Sequence, residues 1–141
     1  MNDKLQKVIE GLDQGLSKPL QPDKVLELAV GQTQAMALRY DIEDLPRCKL
    51  IIGLLTEHFD GYEGEDRLSA FITLEKAYCI AAFWDFDLYM QALEFRRPME
   101  KRFYLPRRKV LKPVADAITD MMVYDKYDTI VLNTPPRIGE S

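Results

Sequence analysis

The stretch DRLSAFITLEKAYCIAAFWDFDLYMQALEFR, residues 66–96, decides the fold class of this chain. It contains neither glycine nor proline, and its apolar residues recur at the three- and four-residue spacing of a helix. The apolar stripe consists of Leu68, Phe71, Ile72, Cys79, Ala82 and Phe83. The spacing predicts either one long helix that Pro98 ends, or two helices with a bend near Trp84.

The segments before this stretch are also helical in pattern. Apolar residues on one side predict a short amphipathic helix over residues 2–14. A second helix is expected over residues 24–40, with Asp23 as its N-cap. A third is expected over residues 46–59, with Pro46 in its first turn and its core face formed by Cys48, Ile51, Ile52, Leu55 and Phe59.

The C-terminal part changes character only near its end. A helical pattern begins at Pro106, and Pro113 either kinks this helix or starts it. The β-branched run TIVL, residues 129–132, favours a short strand that Pro135 and Pro136 end. We therefore predict a mostly α protein, a helical bundle of about five to six helices with at most one short C-terminal strand.

Composition limits the class of protein. Hydrophobic residues make up 47% and charged residues 30% of the 141 residues, which is ordinary for a soluble globular domain. No apolar run approaches the ~18 residues that a membrane span needs, and the N-terminus lacks an apolar signal region. We expect no membrane association and a cytoplasmic location.

The residues of common catalytic and metal sites are scarce. His58 is the single histidine, and Cys48 and Cys79 are two cysteines without CxxC spacing. Both cysteines are predicted to be buried as small apolar residues. Asp85, Asp87 and Glu94 lie close together in sequence, and we interpret them as solvated or helix-capping carboxylates in preference to a metal site.

Charge is distributed unevenly along the chain. Residues 96–112 carry eight basic side chains and one acid, a net charge of +7. Because the whole chain has a net charge of −4, the remaining residues carry −11. This stripe predicts contact with DNA or an acidic partner, or else it is a solvated polar segment. The candidate contact residues are Arg96, Arg97, Lys101, Arg102 and Lys109.

Aromatic residues suggest two further surfaces. Phe83, Trp84, Phe86 and Tyr89 form a cluster that we interpret as core or as a partner groove rather than a base-stacking platform. Phe103 and Tyr104, interleaved with arginines, are candidates for nucleic-acid contact.

The end of the chain, DTIVLNTPPRIGES at residues 128–141, has the form of a strand followed by a phosphate-binding loop. Against the template GxxxxGK[ST], Gly139 and Ser141 match, while Thr134 replaces the first glycine and Glu140 replaces the lysine. The alternative is a chain end with no ligand.

The segment DLYMQALEFRRPMEKRFYLPRRKVLKPVADAITDMMVYDKYDTIVLNTPPRIGES resembles the region that leads into the ATPase site of the large terminase subunit of tailed phages. In the branch of the family found in phages and prophages of Gram-positive gut bacteria, a phrase like RFYLPRRKVLKPV precedes a helix, an acidic linker, an apolar strand and a PPxxGK[ST] loop. The resemblance covers roughly residues 84–141, and residues 1–83 would be the family's variable helical region.

The resemblance implies a DNA-packaging motor that uses ATP and Mg²⁺ and carries a nuclease. By position, Gly139 and Ser141 fall on the loop glycine and the Mg²⁺-binding hydroxyl, and Arg137 lines the turn. Tyr104, Arg107 and Arg108 fall where related motors hold the adenine. The domains implied are a helical region, residues 1–97, and the start of a P-loop ATPase domain, residues 98–141.

The sequence departs from the family where ATP chemistry occurs. Glu140 would place a negative charge beside the β- and γ-phosphates, and the later ATPase and nuclease motifs do not follow Ser141. We therefore expect no enzymatic activity, no catalytic residue and no bound cofactor.

The expected function is that of a non-catalytic terminase-like fragment that acts through protein contacts. One alternative is a free-standing phage or prophage protein that binds and inhibits or regulates a host or defence protein. Another is a weak nucleotide-binding domain. Residues 129–132 would also favour a homodimer, in which two copies of the strand pair.

Overall fold

The structure, a computed structural model, describes residues 21–126 and is mostly α-helical over that range. Its helices are α1 (Pro22–Met36), α2 (Leu45–His58), α3 (Gly64–Ala82), α4 (Phe86–Glu94) and α5 (Tyr104–Met122). Short 3-10 turns lie at Ile42–Asp44, Phe59–Gly61 and Met99–Lys101. The prediction of a mostly α protein is confirmed. The helix expected over 2–14 and the strand expected over 129–132 lie outside the described residues.

The described chain divides into two compact units, residues 21–77 and residues 78–126, and the division falls within α3 between Ala77 and Tyr78. The domain boundary predicted between residues 97 and 98 rests on the family resemblance alone, and it stays a prediction.

In the first unit, α1 begins two residues earlier than a cap at Asp23 would allow. Gln21 is the extended N-cap residue, and Pro22 occupies the first helical position. Proline suits this position because its ring fixes a helical φ and the missing N–H has no partner there anyway. Asp23 is therefore not the cap that the sequence predicted. It lies in the first turn, where the helix dipole favours a carboxylate.

The core of the first unit is formed where α1 packs against α2. Met36 of α1 and Cys48 of α2 are fully buried, and their sulfur atoms lie 3.8 Å apart. Burial raises the pKa of the Cys48 thiol to about 12, so this cysteine is an inert packing residue as predicted. The Tyr62 hydroxyl donates a 2.6 Å hydrogen bond to the carbonyl of Pro22 and ties the chain after α2 to the start of α1.

In the second unit, the long stretch without glycine or proline forms two helices. The chain leaves α3 after Ala82, and Asp85 becomes the N-cap of α4 by accepting a 3.0 Å hydrogen bond from the Leu88 amide. The Phe86 amide donates a 2.8 Å hydrogen bond to the Thr119 hydroxyl of α5. Two orphan amides of the new helix are thus satisfied, so the break near Trp84 needs no helix-breaking residue.

α5 begins at Tyr104, two residues before the predicted start, and Pro113 lies inside it. The reason is Glu94, the last residue of α4, which is only 2% exposed. Its carboxylate accepts hydrogen bonds of 2.8, 2.8 and 2.9 Å from the amides of Phe103, Tyr104 and Leu105. A side chain of one helix therefore supplies the cap of the next.

We predict that Glu94→Ala lowers the free energy of unfolding of the second unit by about 2–4 kcal/mol, because it leaves buried amides without an acceptor. Glu94→Gln keeps one acceptor oxygen and should lose less. The measurement is urea unfolding followed by the fluorescence of Trp84, the only tryptophan. Glu100→Ala, which removes an exposed carboxylate, is the control. An unchanged midpoint for Glu94→Ala would contradict the capping role.

Candidate functional site

The residues predicted to bind a nucleotide are divided between described and undescribed parts of the chain. Arg137, Gly139 and Ser141 lie outside the described residues, so the phosphate loop stays a prediction. Tyr104, Arg107 and Arg108 lie at the start of α5.

Tyr104 and Arg108 converge on Asp87 of α4, which is 3% exposed. The Tyr104 hydroxyl donates a 2.6 Å hydrogen bond to Asp87 Oδ1. Arg108 donates from Nε to Oδ1 at 2.9 Å and from Nη2 to Oδ2 at 2.8 Å, a two-pronged ion pair. Gln91 donates to Oδ2 at 3.2 Å, so both oxygens of the carboxylate are engaged.

The pKa values of this cluster reflect a charged, well-paired carboxylate. Burial alone would raise the pKa of Asp87, but hydrogen bonds from Arg108 and Tyr104 outweigh it and hold the pKa below its ordinary value. Burial and the Asp87 charge raise the pKa of the Tyr104 phenol, so it remains a proton donor. The hydrogen bonds that Arg108 donates to Asp87 raise the pKa of its guanidinium.

The pKa of Glu94 is also lowered by hydrogen bonds, here from backbone amides. Burial would raise its pKa, but the three amides of α5 and the nearby charge of Arg97 lower it below its ordinary value. The prediction that these carboxylates are solvated or helix-capping is confirmed for Asp85 and Glu94, which both cap helices. It is wrong for Asp87, which is buried and paired with Arg108. Among residues 21–126, no group of three or more histidine, cysteine or acidic side chains is placed to hold a metal ion.

Several side chains of the basic stripe, residues 96–112, are engaged in contacts within the chain. Arg102 donates to the carbonyls of Arg97 and Phe95 at 2.9 and 3.3 Å, and Lys112 pairs with Asp116 at 2.7 Å. Arg107 lies 4.4 Å from the centre of the Phe103 ring and donates to the Phe103 carbonyl at 2.9 Å. The stripe residues with exposed side chains are Arg96, Arg97, Lys101 and Lys109.

An apolar cleft of about 450 Å³ lies between the last turn of α3 and α4, within the second unit. Its exposed aromatic and aliphatic residues are Phe83 at 63%, Leu93 at 49% and Tyr89 at 43% exposure. Ala82 and Ala92 lie between them. Cys79 also lines this cleft and is exposed, so the prediction that it is buried is wrong.

The apolar residues of the cleft are exposed because α4 packs against α5 with the opposite side of the helix. Tyr89 and Leu93 are four residues apart on one side of α4, and the buried Asp87 and Glu94 are seven residues apart on the opposite side. α4 packs its carboxylate-bearing side against α5 and leaves aromatic and aliphatic residues on the cleft side. An amphipathic helix normally does the reverse.

No protein-family model, curated protein or solved structure matches this chain. Within residues 21–126, no helix has the length and apolar character that crossing a membrane requires.

We predict that Arg108→Ala destabilises the second unit by about 2–3 kcal/mol, since it leaves the buried Asp87 carboxylate without its cation. The loss is below that of a fully buried pair because the Arg108 side chain is 40% exposed. The neighbouring Arg107→Ala removes a surface contact with Phe103 and should cost about 0.5–1 kcal/mol. Urea unfolding of both variants measures the difference, and equal losses would contradict the assigned role of Arg108.

Proposed function

We propose that this chain is a non-catalytic helical module that acts by binding another protein, as part of a system similar to the large terminase subunit of tailed phages. The observation that carries the proposal is the apolar cleft. The resemblance of residues 84–141 supplies the biological setting, which is DNA packaging in the cytoplasm of the host cell.

The cleft supports protein binding because of what surrounds its apolar residues. Phe83, Tyr89 and Leu93 expose large side chains together, whereas single exposed apolar residues are common and uninformative. Aromatic residues at the centre of a surface depleted of charge are the usual composition of an interface core. None of the six residues that line the cleft is charged.

The hydrogen bonds that Asp87 accepts argue against a nucleotide site at the start of α5. Tyr104 is buried with its hydroxyl on Asp87, and Arg108 is paired with the same carboxylate. Glu140 replaces the lysine on which a phosphate loop depends. These features favour a protein contact over ATP use.

A second candidate is a free-standing phage or prophage protein that binds a host or defence protein. The net charge of −11 outside residues 96–112 favours it, because an acidic surface complements a partner with a basic nucleic-acid channel. Both candidates use the cleft, and gene context distinguishes them: the first has an in-frame continuation, whereas the second does not.

Site-specific photo-cross-linking tests the proposal. We expect a benzophenone amino acid at Phe83 or Tyr89 to give one discrete adduct with another protein in cells, because the bound partner covers the cleft. Leu93→Asp should abolish that adduct. The control position is Leu38, which is 89% exposed and lies in the first unit. The same adduct from Leu38, or none from the cleft, would contradict the proposal.

Nucleotide binding is tested by thermal unfolding with and without Mg-ATP. We expect no change in Tm, since Tyr104 and Arg108 are engaged with Asp87 and Glu140 repels the phosphates. A rise in Tm that Glu140→Lys strengthens would instead assign the chain to the nucleotide-binding class. Glu100→Lys gives the same change of charge at an exposed position and serves as the control.

A further inference from the structure

We propose that the cleft takes an amphipathic helix of a partner protein that bears acidic residues at the end nearest Arg97 and Lys101. This inference rests on the proposed function and specifies the chemistry of the partner. It is carried by the shape of the cleft together with the charge at one of its ends.

The shape of the cleft is that of a groove between two helices. Cys79 lies in the last turn of α3 and Phe83 follows the last residue of that helix, while Tyr89 and Leu93 are one turn apart on α4. The small Ala82 and Ala92 are half-buried between these exposed pairs. Such a groove accepts the ridge of side chains that a third helix presents at three- and four-residue spacing.

The size of the groove suits a few large apolar side chains. Its volume of about 450 Å³ falls within the range of roughly 300–1,000 Å³ that is typical of binding clefts. Its lining offers no charged side chain. The inserted side of the partner helix is therefore apolar.

Cationic side chains follow the end of α4 that carries Leu93. α4 ends at Glu94, one residue after Leu93, and the chain turns there as the Arg97 amide donates to the Glu94 carbonyl at 3.0 Å. Arg97 and Lys101 follow with exposed side chains, and Glu100 is the only acid between residues 95 and 112. Glu94 is buried and its carboxylate accepts three amides, and the nearby Arg97 also acts on its charge, whereas the Arg97 side chain itself is exposed.

Charge complementarity therefore selects an acidic helix over a basic one. Carboxylates placed at this end of the partner helix gain attraction from Arg97 and Lys101, and lysines placed there meet like charge. Duplex DNA satisfies the cationic end but offers no apolar ridge to fill the groove. An acidic amphipathic helix satisfies both features.

The test uses two synthetic helical peptides with the same leucine ridge, one with glutamates and one with lysines at its ends. The readout is the rate at which a thiol reagent modifies Cys79, which lies in the groove, while the buried Cys48 stays silent. We expect the glutamate peptide to slow modification about tenfold more than the lysine peptide at equal concentration. The double variant Arg97→Glu, Lys101→Glu should reverse this preference.

Two controls keep the test specific. Lys109→Glu makes a like change of charge on α5, outside the residues that line the groove, and should preserve the preference for the glutamate peptide. Leu93→Asp should abolish protection by both peptides, with Trp84 fluorescence confirming that the variant is folded.

Several outcomes would overturn the inference. Equal protection by both peptides would remove the acidic partner while leaving the protein-binding function intact. No protection by either peptide, with the cross-linked adduct still formed at Phe83, would replace the helix with a partner of another shape. Protection by duplex DNA, or protection in the absence of peptide that rises with protein concentration, would assign the groove to nucleic acid or to a second copy of this chain.

Discussion

The second unit depends on one buried carboxylate that accepts three backbone amides. Glu94 ends α4, and its two oxygens receive the amides of Phe103, Tyr104 and Leu105, which no intrahelical carbonyl could satisfy. This contact decides at which residue α5 begins. Because a helix places residues four apart on one side, that starting point also brings Tyr104 and Arg108 together opposite Asp87.

The two carboxylates of α4 thus act together to hold the start of α5. Asp87 and Glu94 are separated by two helical turns, which puts them on the same side of α4. Glu94 binds backbone amides at the start of α5, and Asp87 binds the side chains of Tyr104 and Arg108. A helix that buries two ionised groups must satisfy them fully, because an unpaired buried charge costs several kcal/mol.

That arrangement has a consequence on the opposite side of α4. With its polar residues committed to α5, the helix presents Tyr89 and Leu93 away from the buried contact, beside Phe83 at the end of α3. The exposed cleft is therefore built into the unit by the same residues that stabilise it. Shielding these side chains from water is what a bound partner would supply, at about 25 cal/mol for each Å² of apolar surface covered.

The sequence predicted the helices because their signals are local, and it missed the contacts because those are not. The spacing of Cys48, Ile51 and Leu55 located α2, and the seven-residue spacing of Asp87 and Glu94 puts both on one side of a helix. Their burial was not visible, since the donors that satisfy Glu94 come from residues about ten positions later. Likewise, a count of charges gave residues 96–112 a strongly basic character, although Arg108 and Lys112 are paired with acids.

The structure also sets a condition on the family resemblance. Stacking Tyr104 on an adenine requires its ring to leave a position where it is 3% exposed and to give up its hydrogen bond to Asp87. A hydrogen bond to a charged group contributes about 1.5–3 kcal/mol, which nucleotide binding at this place would first have to recover. A relative that holds adenine with these residues therefore needs another donor for the carboxylate at position 87. In this chain Tyr104 and Arg108 both serve Asp87 through direct hydrogen bonds, so neither side chain is free to hold a base without breaking that contact.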